Sequence, residues 1–214
     1  MRLVLASASP QRQQILAKAG YVFEVVDPGE VEDAVASAGR PEELAAAKAC
    51  AKARHVAAAL LAPYPAVVVA ADTLVVLGSE IIGKPRDRAD AVGILTRLSG
   101  TRQRVISGLC LWPVTLQSRP AGTESQFPNS RKLVSVPAGP RPKCGVATTW
   151  VQMRRMSAAQ IQAYVASGAS DGKAGAYAIQ EGGDRFVEAL EGSFLNVVGF
   201  PLELFEAWLP DFGF

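Results

Sequence analysis

Close to its start the chain changes hydrophobic period. Leu3-Val4-Leu5-Ala6 is continuously apolar, Ser7-Ala8-Ser9-Pro10-Gln11-Arg12 is mostly polar, and Ile15, Leu16 and Ala19 then recur at helical spacing before Gly20. This predicts a strand buried on both faces, a tight loop, and a helix over Gln11–Ala19 that glycine terminates. Tyr21–Val26 is a second β-type run, broken by Pro28-Gly29, after which Glu30, Val31, Glu32 and Asp33 begin an acidic connecting loop. Pro41-Glu42-Glu43 opens a long helix toward Leu61, with proline and acids in the first turn, where the helix dipole favours them. Val67–Ala71 predicts a buried strand that ends on Asp72-Thr73. A short run, Leu74–Leu77, then turns at Gly78-Ser79 into Ile81-Ile82, and Gly83-Lys84-Pro85 closes the unit.

Asp87–Leu98 places Ala91, Ile94, Leu95 and Leu98 on one helical face and stops at Gly100. Arg104–Leu111 reads as a strand with Thr148–Met153 as its partner. The stretch between them, about 113–143, is rich in Pro, Ser, Gly and Arg and predicts a long exposed loop or mobile hairpin extension. Ser157 caps a helix through Ala166, Gly168–Gly172 is a loop, Phe186–Leu190 a strand, and a last helix runs from near Pro201 to before Pro210. Early alternation of strands and helices with later strand pairing predicts an α/β fold around a sheet of mixed direction, as a single domain over residues 1–214.

Composition narrows the chemistry. Net charge is +2, so nothing in the overall balance calls for nucleic acid. Asp72 interrupts the one long apolar run, so no membrane span is expected, and the first residues lack the pattern of an export signal; a cytoplasmic protein is the expectation. Cys50, Cys110 and Cys144 are far apart and odd in number, which predicts reduced structural thiols rather than a disulfide framework or a zinc site. His55 is the only histidine and sits in an alanine-rich helical pattern, as a surface residue. Proton chemistry then falls to carboxylates, and any metal should be a hard, oxygen-bound ion.

Candidate residues cluster at element ends. The loop Ser7–Arg12 brings two hydroxyls and a guanidinium to a helix N-terminus, which suits a phosphate, although Ser-x-Ser-Pro is also an ordinary helix cap. Asp72 follows an apolar strand, at the edge where ligands of open α/β sheets bind, or else caps a turn. Lys84 is framed by Gly83 and Pro85, and Lys48 and Lys52 share a helix face. With Glu32 and Arg12 these make carboxylates and cations suited to a magnesium-bound polyphosphate. In Gly172–Gln180 small residues permit close backbone approach to a ligand, and Gln180 offers a donor and an acceptor to a base edge.

Taken in order along the chain, SASPQR (7–12), AKACAKARHVA, AADT (70–73), GKP (83–85), Ser99-Gly100, KAGAYAIQ (173–180) and EGSFLNVVGFPL (191–202) resemble the Maf family, the septum-formation-type nucleotide pyrophosphatases. The resemblance implies an inosine-triphosphatase-like α/β fold with two lobes around a cleft, in a homodimer. It also implies hydrolysis of a nucleoside triphosphate to monophosphate and pyrophosphate with a divalent metal, Mg2+ or Mn2+. By position Asp72 becomes the proton acceptor for the attacking water and, with Glu32, a metal ligand. Ser7, Ser9, Arg12, Lys52 and Lys84 become the phosphate set, and Thr73 and Gln180 fall where the family selects its base. The ADT and KAGAYAIQ forms resemble the subgroup acting on dTTP and UTP, not the one acting on 7-methyl-GTP.

Departures from the family pattern are Gln11 for an arginine linked to substrate choice, Gly172 and Glu181 around the KAGAYAIQ loop, and Gln103 for a customary histidine. A nucleotide-binding regulator of septum formation without turnover is the competing expectation. A Rossmann dehydrogenase is excluded, since no G-x-G-x-x-G follows the first strand.

Overall fold

The longest unbroken structural feature is a strand pair. In the computed structural model, which describes residues 1–35, 39–60, 65–114 and 140–214, strand β3 (Ala66–Leu77) lies antiparallel to β5 (Arg102–Val114), in register from Ala66 opposite Val114 to Val76 opposite Arg104. β5 continues the sheet into β6 (Lys143–Met153), and β6 into β7 (Val187–Glu191), both antiparallel. On the other side β1 (Arg2–Ala6) joins β3 in parallel and β2 (Glu24–Val26) joins β1 in parallel, giving the order β2-β1-β3-β5-β6-β7. The sheet is mixed and the fold α/β, as the pattern predicts.

The helices are α1 (Pro10–Lys18), α2 (Pro41–Ala59), α3 (Arg88–Leu98), α4 (Ala158–Ala166), α5 (Phe194–Val198) and α6 (Leu202–Trp208). Asp87 caps α3 by accepting from the Asp90 N–H, and Ser157 forms a capping box with Gln160 at α4. No described helix is long and apolar enough to cross a membrane.

Alternation along β3 sorts the core onto two faces. Val68, Ala70, Leu74 and Val76 face α2, which covers that side with Leu44, Ala45, Ala49, Ala53 and Val56. Val67, Val69 and Ala71 face a cluster built with Leu16, Phe200 and Phe205, whereas Val75 belongs to a separate cluster with Leu95, Tyr164 and Phe186. One helix therefore spans one face, and the opposite face divides in two at Thr73.

The sheet is also notched there. β5 occupies one edge of β3 along nearly its whole length, so β1 and the short strand β4 (Glu80–Ile82) must share the other. β1 pairs as far as Val69, and β4 begins at Val75. Six residue steps, roughly 20 Å at a strand's rise, leave β3 without a paired strand on that edge among the described residues, and Asp72 and Thr73 lie in the opening.

Several expectations are corrected. Asp72 is in the interior of one continuous strand, not at a strand's C-terminal end, because pairing with β5 runs straight through the polar Asp72-Thr73 step. β2 is confined to Glu24–Val26, and the acidic segment after it forms a turn of 3-10 helix over Val31–Ala34. The arms of the β5–β6 hairpin extend to Val114 and back from Lys143, so the stretch 113–143 is strand at both ends; residues 115–139 lie outside the described residues.

The cysteines are neither dispersed nor all reduced. Cys110 and Cys144 are cross-strand partners on the face that α2 covers, and Cys50 of α2 forms a disulfide with Cys144. Cys110 is the free thiol of the group, and burial pushes it up to about 12. Spacing in sequence could not reveal this, since the juxtaposition arises only when α2 is laid on the sheet. His55, by contrast, is exposed on α2 as expected.

Candidate active site

Gly108, opposite Asp72 in the β3–β5 ladder, sets how closely α2 approaches the sheet. A Cβ there would come within 2.0 Å of the Ala45 carbonyl oxygen, so glycine alone permits the helix to lie this close. The approach brings Lys52, two turns further along α2, down onto Asp72.

Lys52 is 5% exposed. Its Nζ donates to Asp72 Oδ1 at 2.7 Å and pairs with Glu32 Oε1 at 2.8 Å. An ammonium has three donors, and these pairs use two of them. The second oxygen of Glu32, Oε2, is buried with no hydrogen-bond partner among the described residues. Burial pushes the Glu32 carboxyl up, but the hydrogen bond from Lys52, a backbone hydrogen bond and the charges of Lys52 and Lys48 outweigh it and hold the group below its ordinary value.

The loop after β1 forms the adjoining wall. Arg12 donates from Nε to the Gly199 carbonyl at 2.9 Å and from Nη1 to Ser7 Oγ at 3.1 Å. The Ser9 N–H donates to the same Ser7 oxygen at 3.2 Å, and Ser9 Oγ donates to Gln11 Oε1 at 3.1 Å. Burial lowers the pKa of the Arg12 guanidinium, against the pull of Asp72 and Glu32; an arginine remains charged even so.

The opposite wall is the loop after β4 and the segment 172–180. Gly175 donates its N–H to the Gly83 carbonyl at 3.1 Å, tying the two together beside Lys84. Its φ of +73 favours glycine, and a Cβ there would press on the Val75 side chain at 3.1 Å. Ala176 follows with φ 58, the one described non-glycine residue with positive φ. The Ala178 N–H donates to Tyr164 Oη at 3.0 Å, and Gln103 donates to Tyr177 Oη at 3.0 Å. Burial pushes the Tyr177 phenol up to about 12, partly offset by the Gln103 hydrogen bond, so it is neutral at physiological pH.

Between the walls is a cleft of about 550 Å3. Ser7, Ser9, Gln11, Arg12, Glu32, Lys52, Asp72, Thr73, Lys84 and Gln180 all line it, so these candidates come to one place. Lys48 and Glu30 do not line it. Thr73 Oγ1 lies 2.8 Å from Ser107 Oγ and donates to the Gly199 carbonyl at 3.3 Å, which puts that carbonyl on two site residues. Gly199 is itself held by α5, whose buried Asn196 donates to Val105 O and Thr149 Oγ1, each at 3.0 Å.

Sequence reasoning passed over Asp27, Lys173 and the Gly199 carbonyl as site groups, although all three residues line the cleft. Lys173 is the first residue of the KAGAYAIQ stretch and could have been found there. A backbone carbonyl leaves no mark in side-chain type.

The cleft is lined by both charged and apolar groups. Arg12, Lys52 and Lys84 supply cations and Glu32 and Asp72 carboxylates, a set suited to a polyanion and a hard cation together. Val75, Val105, Ile179, Val197 and Val198 supply apolar wall, with Thr73 and Gln180 as polar groups beside it. An extended ligand with a charged tail and a flat, edge-polar head fits that lining.

A dTTP/UTP pyrophosphatase from Elusimicrobium minutum (strain Pei191) is 37% identical over 215 residues, spanning 100% of both chains. One from Vibrio cholerae serotype O1 is 40% identical over 205 residues, 94% of this chain and 92% of that protein. One from Anaeromyxobacter dehalogenans (strain 2CP-1) is 39% identical over 213 residues, 100% and 95% respectively. Among solved structures a HAM1 protein from Coxiella burnetii matches at 16% identity with a TM-score of 0.41, over 73% of this chain and 74% of that chain, a likeness too weak to bear on the assignment. The family model described as Maf-like protein matches residues 2–212, and with relatives at these identities over more than nine-tenths of their length the chain belongs to the Maf family.

Proposed function

We propose that this protein hydrolyses nucleoside triphosphates between the α and β phosphates, releasing a monophosphate and pyrophosphate, with dTTP and UTP as its preferred substrates. The observation that carries the reading is the Glu32–Lys52–Asp72 chain at the notch in the sheet, with its buried unpaired carboxylate oxygen. The activity named for the full-length relatives supports the reaction and the nucleotides.

In this reading Asp72 takes the proton from the attacking water. Lys52 holds that carboxylate in place and presents positive charge to the phosphates, with Lys84 and Arg12 on either wall. Positive groups fixed in advance stabilise the charge that grows on the leaving pyrophosphate without reorganising at the moment of reaction. Ser7 and Ser9 add hydroxyl and backbone contacts at the mouth of α1, where the first N–H groups favour an anion.

A divalent cation such as Mg2+ or Mn2+ fits the residues present. Glu32 Oε2 is an orphaned hard donor, and Asp72 is joined to the same lysine. Glu32 and Asp72 would hold the ion, which when bound supplies Lewis-acid polarisation of phosphate oxygens. Thr73 and Gln180 read the base against the apolar wall.

The test is purified protein against a panel of canonical and modified triphosphates with magnesium or manganese, scoring pyrophosphate and monophosphate. dTTP and UTP should be hydrolysed fastest. Asp72→Asn should lower kcat by at least ~10²-fold, the loss that follows removal of a general base, while leaving binding of a non-hydrolysable analogue nearly intact. Wild-type turnover in that variant would overturn the role of Asp72. Nucleotide binding without turnover by the wild type would replace the enzyme with a regulator.

A further inference from the structure

All of the chain's cysteines meet at one point outside the cleft. Cys110 on β5 and Cys144 on β6 face each other across the ladder, and Cys50 descends on them from α2. The three sulfurs lie within 4.8 Å of one another, and Cys110 Sγ is 2.9 Å from Cys144 Sγ. Cys110 is fully buried beside Ala49, Ala53 and Ala70, Cys50 is half-buried, and Cys144 is exposed. The group thus sits at the rim of the core with one side toward solvent. No carboxylate or imidazole belongs to it among the described residues.

We infer that, once the Cys50–Cys144 disulfide is reduced, these sulfurs form a binding site for one soft, thiophilic cation. Thiolate donors select soft ions over the hard Mg2+ or Mn2+ suited to the cleft, so the two sites differ in chemistry as well as place. Donors on α2, β5 and β6, separated by 60 and 34 positions in sequence, converge because Gly108 lets the helix lie against the sheet. The span is already short enough that one ion can touch all three sulfurs without moving an element, and the exposed Cys144 gives it a way in.

Two steps lead to the bound form. A dithiol reductant gives two electrons and two protons to the Cys50–Cys144 bond, leaving two cysteine thiols and becoming a cyclic disulfide itself. The cation then displaces thiol protons to water as each sulfur coordinates. The bound ion would join α2, β5 and β6 where the disulfide joins only α2 to β6.

Cadmium is the probe, because its thiolate bonds give a charge-transfer absorption in the ultraviolet that carboxylate sites do not. Protein reduced with a dithiol, freed of reductant under argon and titrated with Cd2+ should gain this band with an end point of one ion per chain, confirmed by native mass spectrometry. Its unfolding temperature should rise with Cd2+, as for any ligand bound by the native state alone. Cys144→Ser, at an exposed position where folding is not at risk, and Cys110→Ala should each weaken binding by at least ~10–100-fold, the range seen when even an outer partner of a metal ligand is lost. Glu32→Gln should leave the band unchanged, which separates this site from the cleft. No band in the reduced wild type, or a band of unchanged affinity in Cys110→Ala, overturns the proposal.

Discussion

A buried ammonium held between two carboxylates leaves both exposed to the consequences of its loss. Lys52→Met removes the charge at nearly constant volume, and Glu32 and Asp72 then face each other without the ammonium between them. Breaking a buried pair in this way costs about 3–5 kcal/mol, because the remaining charge is uncompensated. The prediction is a large fall in unfolding temperature for Lys52→Met without metal, partly restored by Mn2+, with a smaller Mn2+ effect on the wild type. Equal shifts in the two proteins would show that the carboxylates are not the metal's ligands. At this scale the sequence was legible wherever a side chain type is itself chemistry: Arg12, Lys84, Asp72 and Gln180 all line the cleft. It was silent on the Gly199 carbonyl, which receives Arg12 and Thr73 yet belongs to a residue with no side chain.

Gln11 tests how far a single departure alters specificity. It accepts from Ser9 within the loop that forms one wall. A neutral amide holds the loop but adds no charge, so discrimination among nucleotides should be weaker than with a cation there. Gln11→Arg is expected to sharpen the preference for dTTP and UTP over GTP and CTP by roughly tenfold, within the 1–3 kcal/mol that a positioned hydrogen bond carries. The measurement is kcat/KM for the four nucleotides in both proteins, and an unchanged ratio places the determinant elsewhere.

Elements show why periodicity alone misreads the centre of the sheet. A polar pair inside an apolar run looks like a strand end, yet β3 passes through Asp72-Thr73 because its backbone is paired with β5 on one side regardless of side-chain type. What ends at that point is the pairing of the other edge, a fact recorded in β1 and β4 and not in β3. α5 went unread for a different reason: five residues are too few for a helical period, although Ser193 accepts from the Asn196 N–H as a proper cap. Gly108 gives the element scale its own test. Gly108→Ala places a methyl 2.0 Å from the Ala45 carbonyl, so α2 has to move away from β5 or tilt. Overpacking of this kind costs about 1–3 kcal/mol, and the shift carries Lys52 away from Asp72. Activity should therefore fall by more than stability does. The control is Gly93→Ala, on α3, where a Cβ meets nothing within 4 Å. Full activity in Gly108→Ala would mean that the helix position does not set the site.

For the whole molecule, the same groups give stability a defined dependence on pH. On the acid side Glu32 titrates below its ordinary value in the native protein. The unfolded chain binds its proton first, near pH ~4.3, so the stabilisation is fully present above that pH and is lost as pH falls through the depressed native value. Glu24, Glu43 and Asp90 are also held low, by hydrogen bonds from Arg2, Arg40 and Arg86, and act in the same direction. Those pairs are exposed, and salt near ~1 M, where the Debye length is about 3 Å, screens them far more than it screens a buried pair. On the alkaline side Cys110 and Tyr177 are buried in their protonated forms with values raised to about 12. Their contributions are present below the unfolded values, roughly 8.5 for the thiol and about 10 for the phenol, and are lost as pH rises toward the native ones. Denaturant midpoints in high salt should thus fall from roughly pH 4 downward and from about pH 9 upward. Glu32→Gln should flatten the acid limb and leave the alkaline limb alone, while Cys110→Ala does the reverse. An acid limb of unchanged steepness in Glu32→Gln would mean that the proton is taken up elsewhere, and that the half-buried carboxylate beside Lys52 is not what couples this fold to pH.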